Sequence, residues 1–149
     1  MKAMDLLSTN VRSPRLKESS LLIHGSCLEV EAPGIFHELV QRKVPLAVCL
    51  EKVHMNTVGF KIATIIKVAS PIGIVVLTMD GSPHCVQLHF AVEQAIQQTG
   101  CELKPSHLVV KKGALHEISR ETVWLARHLV DLNMIRESSG ATGGQVRKA

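Results

Sequence analysis

Residues 72–79 restrict the fold of this chain more than any other segment. Their sequence, IGIVVLTM, is almost entirely apolar and is followed by Asp80 and Gly81. A strand with one solvated face alternates apolar and polar residues, whereas a continuous apolar run is typical of a central parallel strand buried on both faces. The segment therefore predicts a parallel sheet that is covered by helices on both sides.

The rest of the chain alternates in a way that fits such a sheet. Within residues 58–69 the polar side chains of Lys61, Thr64 and Lys67 are three residues apart, which favours a helix over a strand. Ser82 and Pro83 are typical of a helix start. Apolar runs predict strands at residues 21–24, 45–50, 72–79 and 106–110, and helical periodicity predicts helices at residues 33–42, 58–69, 83–99 and 119–133.

This order of elements predicts an α/β protein with three layers, α/β/α. Its sheet is small, with about four mainly parallel strands, and its topology is Rossmann-like or flavodoxin-like. The length of 149 residues and the hydrophobic content of 46% fit one domain, which we place at residues 20–136. The polar residues 1–19 are predicted to be a flexible arm that could add a strand to the sheet. The Gly- and Ser-rich residues 137–149 are predicted to be a flexible tail.

Charge and cysteine content argue against several classes of protein. The net charge is +4, but the basic residues are dispersed and aromatic residues are few, which argues against nucleic-acid binding. No apolar run reaches the roughly 18 residues of a membrane-spanning helix, and the first residues do not resemble a secretory signal. Four cysteines without a CxxC pair are most simply the reduced thiols of a cytoplasmic protein.

The loops that follow the predicted strands are the place to look for a site, because ligands of open parallel sheets bind outside the carboxyl ends of the strands. Each of these four loops contains a histidine, which accounts for four of the eight histidines in the chain. The alternative, that these are exposed histidines without a function, stays open. The candidate residues of the first three loops are His24, Gly25, Ser26, Cys27, His54, Asp80, Gly81, Ser82, His84 and Cys85.

Cys85 is the most informative single residue, because it falls in the first turn of the predicted helix 83–99. Free backbone N–H groups and the helix dipole stabilise a thiolate there. His89 lies one turn further along and shares a helix face with Cys85, so the pair is expected to point toward the edge of the sheet. Asp80 ends the preceding strand, where it either orients a ligand or caps the following turn. The alternative for Cys85 is a small buried apolar side chain.

These residues support two kinds of chemistry. In the first, Cys85 is a nucleophile, His84 an acid or base, and Asp80 orients them. In the second, a transition metal is held by nitrogen and sulfur ligands, which suits zinc or iron. An iron–sulfur cluster is less well supported, because closely spaced cysteines are missing. The predicted metal ligands are His24, Cys27, His54, Cys85 and His89.

The leading prediction is thus a small cytoplasmic α/β protein with a Cys/His-rich site that binds a transition metal or carries out thiol or redox chemistry. The alternative is a non-enzymatic module that binds an anion or nucleotide at Gly25, Ser26, Gly81 and Ser82, or that is a subunit of a larger assembly. The wide apolar face of the helix predicted at 119–133 favours association, as a homodimer or with another protein. Dinucleotide-binding, P-loop and α/β-hydrolase motifs are absent from the sequence.

Overall fold

A computed structural model describes residues 2–140 of the protein, which form one six-stranded sheet with helices on both faces. The strands are β1 (Met4–Asp5), β2 (Ser20–Gly25), β3 (Val44–Val48), β4 (Gly73–Met79), β5 (Ser106–Lys111) and β6 (Ala114–Ile118). The helices are α1 (Leu28–Glu31), α2 (Pro33–Leu39), α3 (Met55–Ala69), α4 (Pro83–Thr99), α5 (Arg120–Leu125) and α6 (Leu129–Ser138), with a short 3₁₀ turn at Val40–Arg42.

The order of the strands across the sheet is β1-β3-β2-β4-β5-β6. All neighbours are parallel except β5 and β6, which are antiparallel. After β2 the chain goes to β3 on one side, and it then returns past β2 to β4 on the other side. The direction of winding therefore reverses between β3 and β4, and the carboxyl ends of β2, β3 and β4 surround that point.

Two apolar cores lie on opposite faces of the sheet, which confirms the three-layer α/β/α class. On one face α3 and α4 pack over Ile23, Leu46 and Val76. On the other face α2 contributes Phe36, which packs near Leu22. Continuous apolar strands are required here because both faces are covered.

The predicted strand count of about four is too low, since both ends of the sheet carry an extra strand. β6 follows β5 through a two-residue turn in which Lys112 has a φ of 49° and Gly113 a φ of 76°. Positive φ at both positions is typical of a tight hairpin turn. The sequence predicts a loop after the strand 106–110, whereas the chain turns straight back here as an antiparallel edge strand.

The N-terminal residues pack against the sheet instead of forming a loose arm. Met4 and Asp5 form the edge strand β1, which pairs with β3. This is the extra strand that the predicted arm could add to the sheet. Leu6 and Leu16 are fully buried in the core on the α3 side. Lys61 of α3 donates a hydrogen bond to the carbonyl of Leu7 at 3.1 Å, which ties the segment to the helix.

The helix predicted at 119–133 is two helices, α5 and α6, which are separated at Ala126–His128. Val123 of α5 is buried, but no residue of α6 is buried. The predicted flexible tail, residues 137–149, begins inside α6, because that helix runs to Ser138. Residues 141–149 of the tail lie outside the described part of the chain. Within residues 2–140, no helix is both long and apolar enough to cross a membrane.

Candidate functional site

A pocket of about 180 Å³ lies at the carboxyl ends of β2, β3 and β4, where the winding of the sheet reverses. Three cysteines from three separate segments line it. Cys27 follows β2, Cys49 follows β3, and Cys85 lies in the first turn of α4. Apolar side chains, among them Val48 and Leu88, form much of the remaining wall. We call this the thiol pocket.

The cysteine side chains interact with one another across the pocket. Cys27 is exposed at the rim, whereas Cys49 and Cys85 are half-buried. Burial of the sulfur raises the pKa of Cys27, and the electrostatic effect of the neighbouring Cys85 raises it further. Cys27 is therefore protonated at neutral pH, and its sulfur lies close enough to Cys85 for the two to influence each other.

Local sequence places Cys85 at the mouth of the pocket. Ser82 is the N-cap of α4, and its side-chain oxygen accepts a hydrogen bond from the backbone N–H of Cys85 at 3.3 Å. Pro83 occupies the first turn, as the sequence predicts. Gly81 supports the preceding bend with a φ of 90°, a conformation that only glycine adopts without strain.

The sequence-predicted residues Gly25, Ser26, Cys27, Ser82, His84 and Cys85 all line the thiol pocket. His84 has its Nδ1 atom 3.6 Å from Oε1 of Glu51, too far for a hydrogen bond; the His84 side chain is half-buried and that of Glu51 is exposed. The backbone N–H of Ser26 already donates to the carbonyl of Val48 at 2.9 Å. That N–H is therefore not free to bind an anion.

Two predicted residues lie away from the thiol pocket, at the surface. Asp80 forms an exposed ion pair with Lys111, with 3.8 Å between Oδ2 and Nζ, and it orients none of the predicted histidines. His54 caps α3, where its Nδ1 accepts a hydrogen bond from the backbone N–H of Asn56 at 3.2 Å. His54 shares a neighbouring open groove with His84 but does not line the thiol pocket.

Two further predicted residues are buried and are not among those that line the thiol pocket. The ring of His24 lies 4.7 Å from that of Phe36, in the core under α2, and its Nδ1 donates to the carbonyl of Gly25 at 2.9 Å. His89 hydrogen-bonds to Thr78 and His107 between α4 and the sheet. Consequently the five predicted metal ligands do not come together. No group of three or more His, Cys, Asp or Glu side chains within residues 2–140 is arranged to hold a metal ion.

The structure reveals a buried chain of polar side chains that the sequence analysis did not identify. Thr78 Oγ1 is 2.7 Å from His89 Nε2, His89 Nδ1 is 2.8 Å from His107 Nδ1, and His107 Nε2 is 2.8 Å from Oε1 of Glu93. All four residues are at least nine-tenths buried. We call this set the histidine chain. It runs from β4, at the wall of the thiol pocket, through α4 and β5.

Arg120 of α5 closes the far end of the histidine chain. Its Nε and Nη2 atoms donate to the two oxygens of Glu93 at 2.8 and 2.7 Å. Burial alone would raise the pKa of Glu93, but the hydrogen bonds from Arg120 and His107 outweigh it and lower that pKa. Glu93 is thus a carboxylate. It opens onto a cleft of about 530 Å³ that Arg120, Trp124 and Arg127 also line.

The imidazoles of the histidine chain are neutral at ordinary pH. Burial, together with the neighbouring His107, lowers the pKa of His89 to about 3. Burial also lowers the pKa of His107, against the opposing effect of Glu93. The sequence did contain a signal for this network. His89 and Glu93 are one turn apart on a helix face predicted to be buried, and His107 lies inside a predicted strand.

Comparison with known proteins bears on the fold. No curated protein and no solved structure matches the chain. The family model of the Rossmann-like domain matches residues 13–143, which include β2 to β6 and every helix described above. With that match over most of its length, the chain belongs to the Rossmann-like domain family.

Proposed function

We propose that the protein carries out thiol–disulfide chemistry in the thiol pocket. Cys85 is the attacking sulfur and Cys27 is the sulfur with which it forms a reversible disulfide. The observation that carries this proposal is the convergence of Cys27, Cys49 and Cys85, from three separate loops, on one pocket of about 180 Å³. Convergence of this kind at the carboxyl edge of a parallel sheet is typical of a functional site.

The two sulfurs differ in the way that such an exchange needs. Cys85 lies in the first turn of α4, at the positive end of the helix dipole, and we assign it the first attack. Cys27 is exposed and protonated, because the pKa of its thiol is raised. The co-reactant is a small disulfide. Oxidation forms one S–S bond in the protein, releases the two thiols of the co-reactant and moves two electrons and two protons.

Thiol chemistry agrees better with the geometry than metal binding does. A zinc or iron site needs a set of ligands at fixed short distances, and none of the predicted histidine ligands lines the thiol pocket. A disulfide needs only two sulfurs that can approach each other. A reduced cytoplasmic protein with free thiols, as the sequence predicts, would be in the dithiol form at rest.

The proposal is tested by exposure of the reduced protein to a series of ratios of oxidised to reduced glutathione. We expect the native chain to lose the mass of two hydrogens, and peptide mapping to find a Cys27–Cys85 link. Cys27→Ser and Cys85→Ser should each prevent it. Cys101→Ser is the matched control that keeps it, because Cys101 lies outside the thiol pocket.

A native chain that forms no internal disulfide at any glutathione ratio would contradict the proposal. A Cys27–Cys49 link would contradict the role of Cys85. In a parallel measurement, tight binding of one zinc ion that blocks all three pocket thiols from alkylation would favour the metal interpretation instead. Binding is followed by metal analysis of protein purified without a histidine tag.

A second candidate function, as a subunit of an assembly, is favoured by the exposure of α6. Val130 and Met134 lie one turn apart on this helix and are 73% and 61% exposed. A ten-residue helix with no buried residue is expected to be marginal in water without a partner. We expect a homodimer in which the α6 helices are covered, and this role does not exclude chemistry in the thiol pocket.

A further inference from the structure

The geometry of the histidine chain determines where each proton lies. Glu93 is a carboxylate and can only accept, so His107 donates to it from Nε2. A neutral His107 then accepts at Nδ1, which means that His89 donates from Nδ1. His89 therefore accepts at Nε2, and the donor to that nitrogen is the hydroxyl of Thr78. Every hydrogen bond of the chain is satisfied in one direction, from Thr78 to Glu93.

This arrangement contains the parts of an activated nucleophile. A hydroxyl lies within hydrogen-bond distance of an imidazole nitrogen, and the other nitrogen of that ring is held by a third group. Here the third group is His107, which is in turn held by the carboxylate of Glu93 and, through it, by Arg120. Thr78 is among the residues that line the thiol pocket and is 1% exposed, so the Thr78 end of the histidine chain borders a cavity that could hold a small ligand.

We propose that Thr78 is a nucleophile that attacks the carbonyl carbon of a small ester in the thiol pocket, with His89 as its general base. His89 and Thr78 are the catalytic residues. His107 and Glu93 are positioning residues, which hold His89 in the tautomer that accepts at Nε2. This activity is independent of the cysteines and does not rest on the disulfide chemistry proposed above.

The reaction proceeds in two balanced steps. First, a bond forms between Thr78 Oγ1 and the carbonyl carbon, the ester C–O bond breaks, and the hydroxyl proton passes through His89 Nε2 to the leaving alcohol. Second, water attacks the acyl-threonine and gives one proton to His89. The bond to Thr78 then breaks, its oxygen regains the proton, and the carboxylic acid leaves. During each step the imidazolium of His89 is stabilised by its hydrogen bond to His107.

The pocket limits the substrate to a small acyl group. Its volume is about 180 Å³, and apolar side chains form much of its wall. Around His89, the facing titratable groups are His107 from β5, Glu93 from its own helix and Arg120 from α5. Protonation of His107 in acid would make its Nδ1 a donor to Nδ1 of His89, so that His89 would donate from Nε2 to Thr78. Thr78 would then be an acceptor, and we expect the activity to fall as the pH falls.

The experiment uses the full chain and p-nitrophenyl acetate. After acid quench, neutral hydroxylamine removes acetyl groups from sulfur, and peptide mass spectrometry locates those that remain on oxygen. We expect acetyl-Thr78 in the native chain. Thr78→Ser, which keeps the hydroxyl, should retain nitrophenolate release, whereas the nearly isosteric Thr78→Val should lose the Thr78-dependent part by about 100-fold or more. Urea-unfolded protein is the control for non-specific acetylation.

Equal rates for the native chain, Thr78→Ser and Thr78→Val, with no label on Thr78, would overturn the proposal. The positioning role has a separate readout that does not depend on activity. Nitrogen NMR of the native chain should find the proton of His89 on Nδ1, and Glu93→Gln should weaken that preference and alter the pH profile of release. A His89 proton on Nε2 in the native chain would also overturn the proposal, because Thr78 would then not be a donor.

Discussion

At the scale of single residues, burial disfavours the charged form of each group, so it lowers the pKa of a histidine and by itself would raise the pKa of Glu93. It keeps His24, His89 and His107 uncharged by lowering the pKa of each ring. Glu93 nevertheless stays charged, because Arg120 and His107 donate three hydrogen bonds to its carboxylate. One buried charge with complete hydrogen bonding is the condition under which such a group is tolerated.

Replacement of Glu93 by Gln tests this account. The variant keeps the shape but removes the charge, and it leaves Arg120 without its ion-pair partner. We expect the free energy of unfolding to fall by about 1.5–3 kcal/mol, the range for hydrogen bonds to charged groups. Urea unfolding measures it. Glu102→Gln, at an exposed position, should change stability by less than about 0.5 kcal/mol, and equal effects of the two substitutions would contradict the account.

The buried histidines also predict how stability depends on pH. Their pKa values in the folded state lie below the ordinary 6.5, at about 3 for His89, so the unfolded chain binds more protons between these values. The free energy of unfolding should therefore be at its full value above about pH 7 and fall as the pH falls toward about 3, the folded-state pKa of His89. Below about pH 4.5, the ordinary pKa of a Glu side chain, Glu93 should add to this fall, because the pKa of Glu93 in the folded state is also lowered.

Urea unfolding at a series of pH values measures this dependence. His24→Leu should make the slope shallower, since it removes one of the buried rings. His37→Gln is the matched control at an exposed position and should leave the slope as it is in the native chain. If the free energy of unfolding stays constant or rises as the pH is lowered from about 7 to about 5, these rings are not buried in their neutral form.

The sequence predicted part of the candidate site because some residues directly follow apolar strands. Cys27 and Cys85 were placed in this way, and both line the pocket. Cys49 falls inside the predicted strand 45–50, but β3 ends one residue before it. His24 is a predicted site residue, but it is two residues from Leu22 along β2 and so lies on the same face, the α2 side of the sheet. A strand end known only to within one residue does not determine which face a side chain takes.

At the scale of secondary-structure elements, α4 connects the thiol pocket to the histidine chain. Cys85, His89 and Glu93 are spaced four residues apart along it, so one face of a single helix carries the thiol, the base and the carboxylate. The start of this helix was predicted to the residue, because Ser82 and Pro83 are strong capping signals. The break between α5 and α6 was not, because no Pro or Gly marks it.

The N-cap of α4 should affect both the free energy of unfolding and the alkylation rate of Cys85. Ser82→Ala removes the acceptor for the backbone N–H of Cys85, so we expect a loss of about 1 kcal/mol in the free energy of unfolding and a change in the alkylation rate of Cys85. Ser119→Ala is the matched control. It removes the cap of α5, where Ser119 accepts from the backbone N–H of Thr122 at 3.1 Å, and should leave the Cys85 rate as it is. Equal effects on that rate would contradict the role of the Ser82 cap.

At the scale of the whole molecule, the class of fold was predictable and its borders were not. The all-apolar segment that became β4 required a sheet covered on both faces, whatever the remaining strands did. β1 is only two residues long, and β6 is exposed along most of its length, so neither has the hydrophobic pattern that reveals a strand. These edges are defined by backbone pairing with β3 and β5 rather than by burial.

The exposed helix α6 predicts that the protein associates with itself. We expect the native protein to be a dimer by size-exclusion chromatography with light scattering. The double substitution Val130→Glu and Met134→Glu should convert it to a monomer with little loss of monomer stability, because neither side chain is buried within the chain. Asp131→Asn is the control and should remain dimeric. A native protein that is monomeric at high micromolar concentration would contradict this prediction.

The reversal of winding between β3 and β4 has a consequence for how the protein is made. The sulfurs of Cys27 and Cys49 are synthesised well before β4 and α4, yet the wall they share is incomplete until Leu77 aligns with His24 in the central strand pair. During that interval a nascent or refolding chain presents unshielded thiols to its surroundings. The rate at which they become protected from a rapid alkylating pulse would therefore report the docking of the central strand, and recovery from denaturant should depend on the presence of reductant.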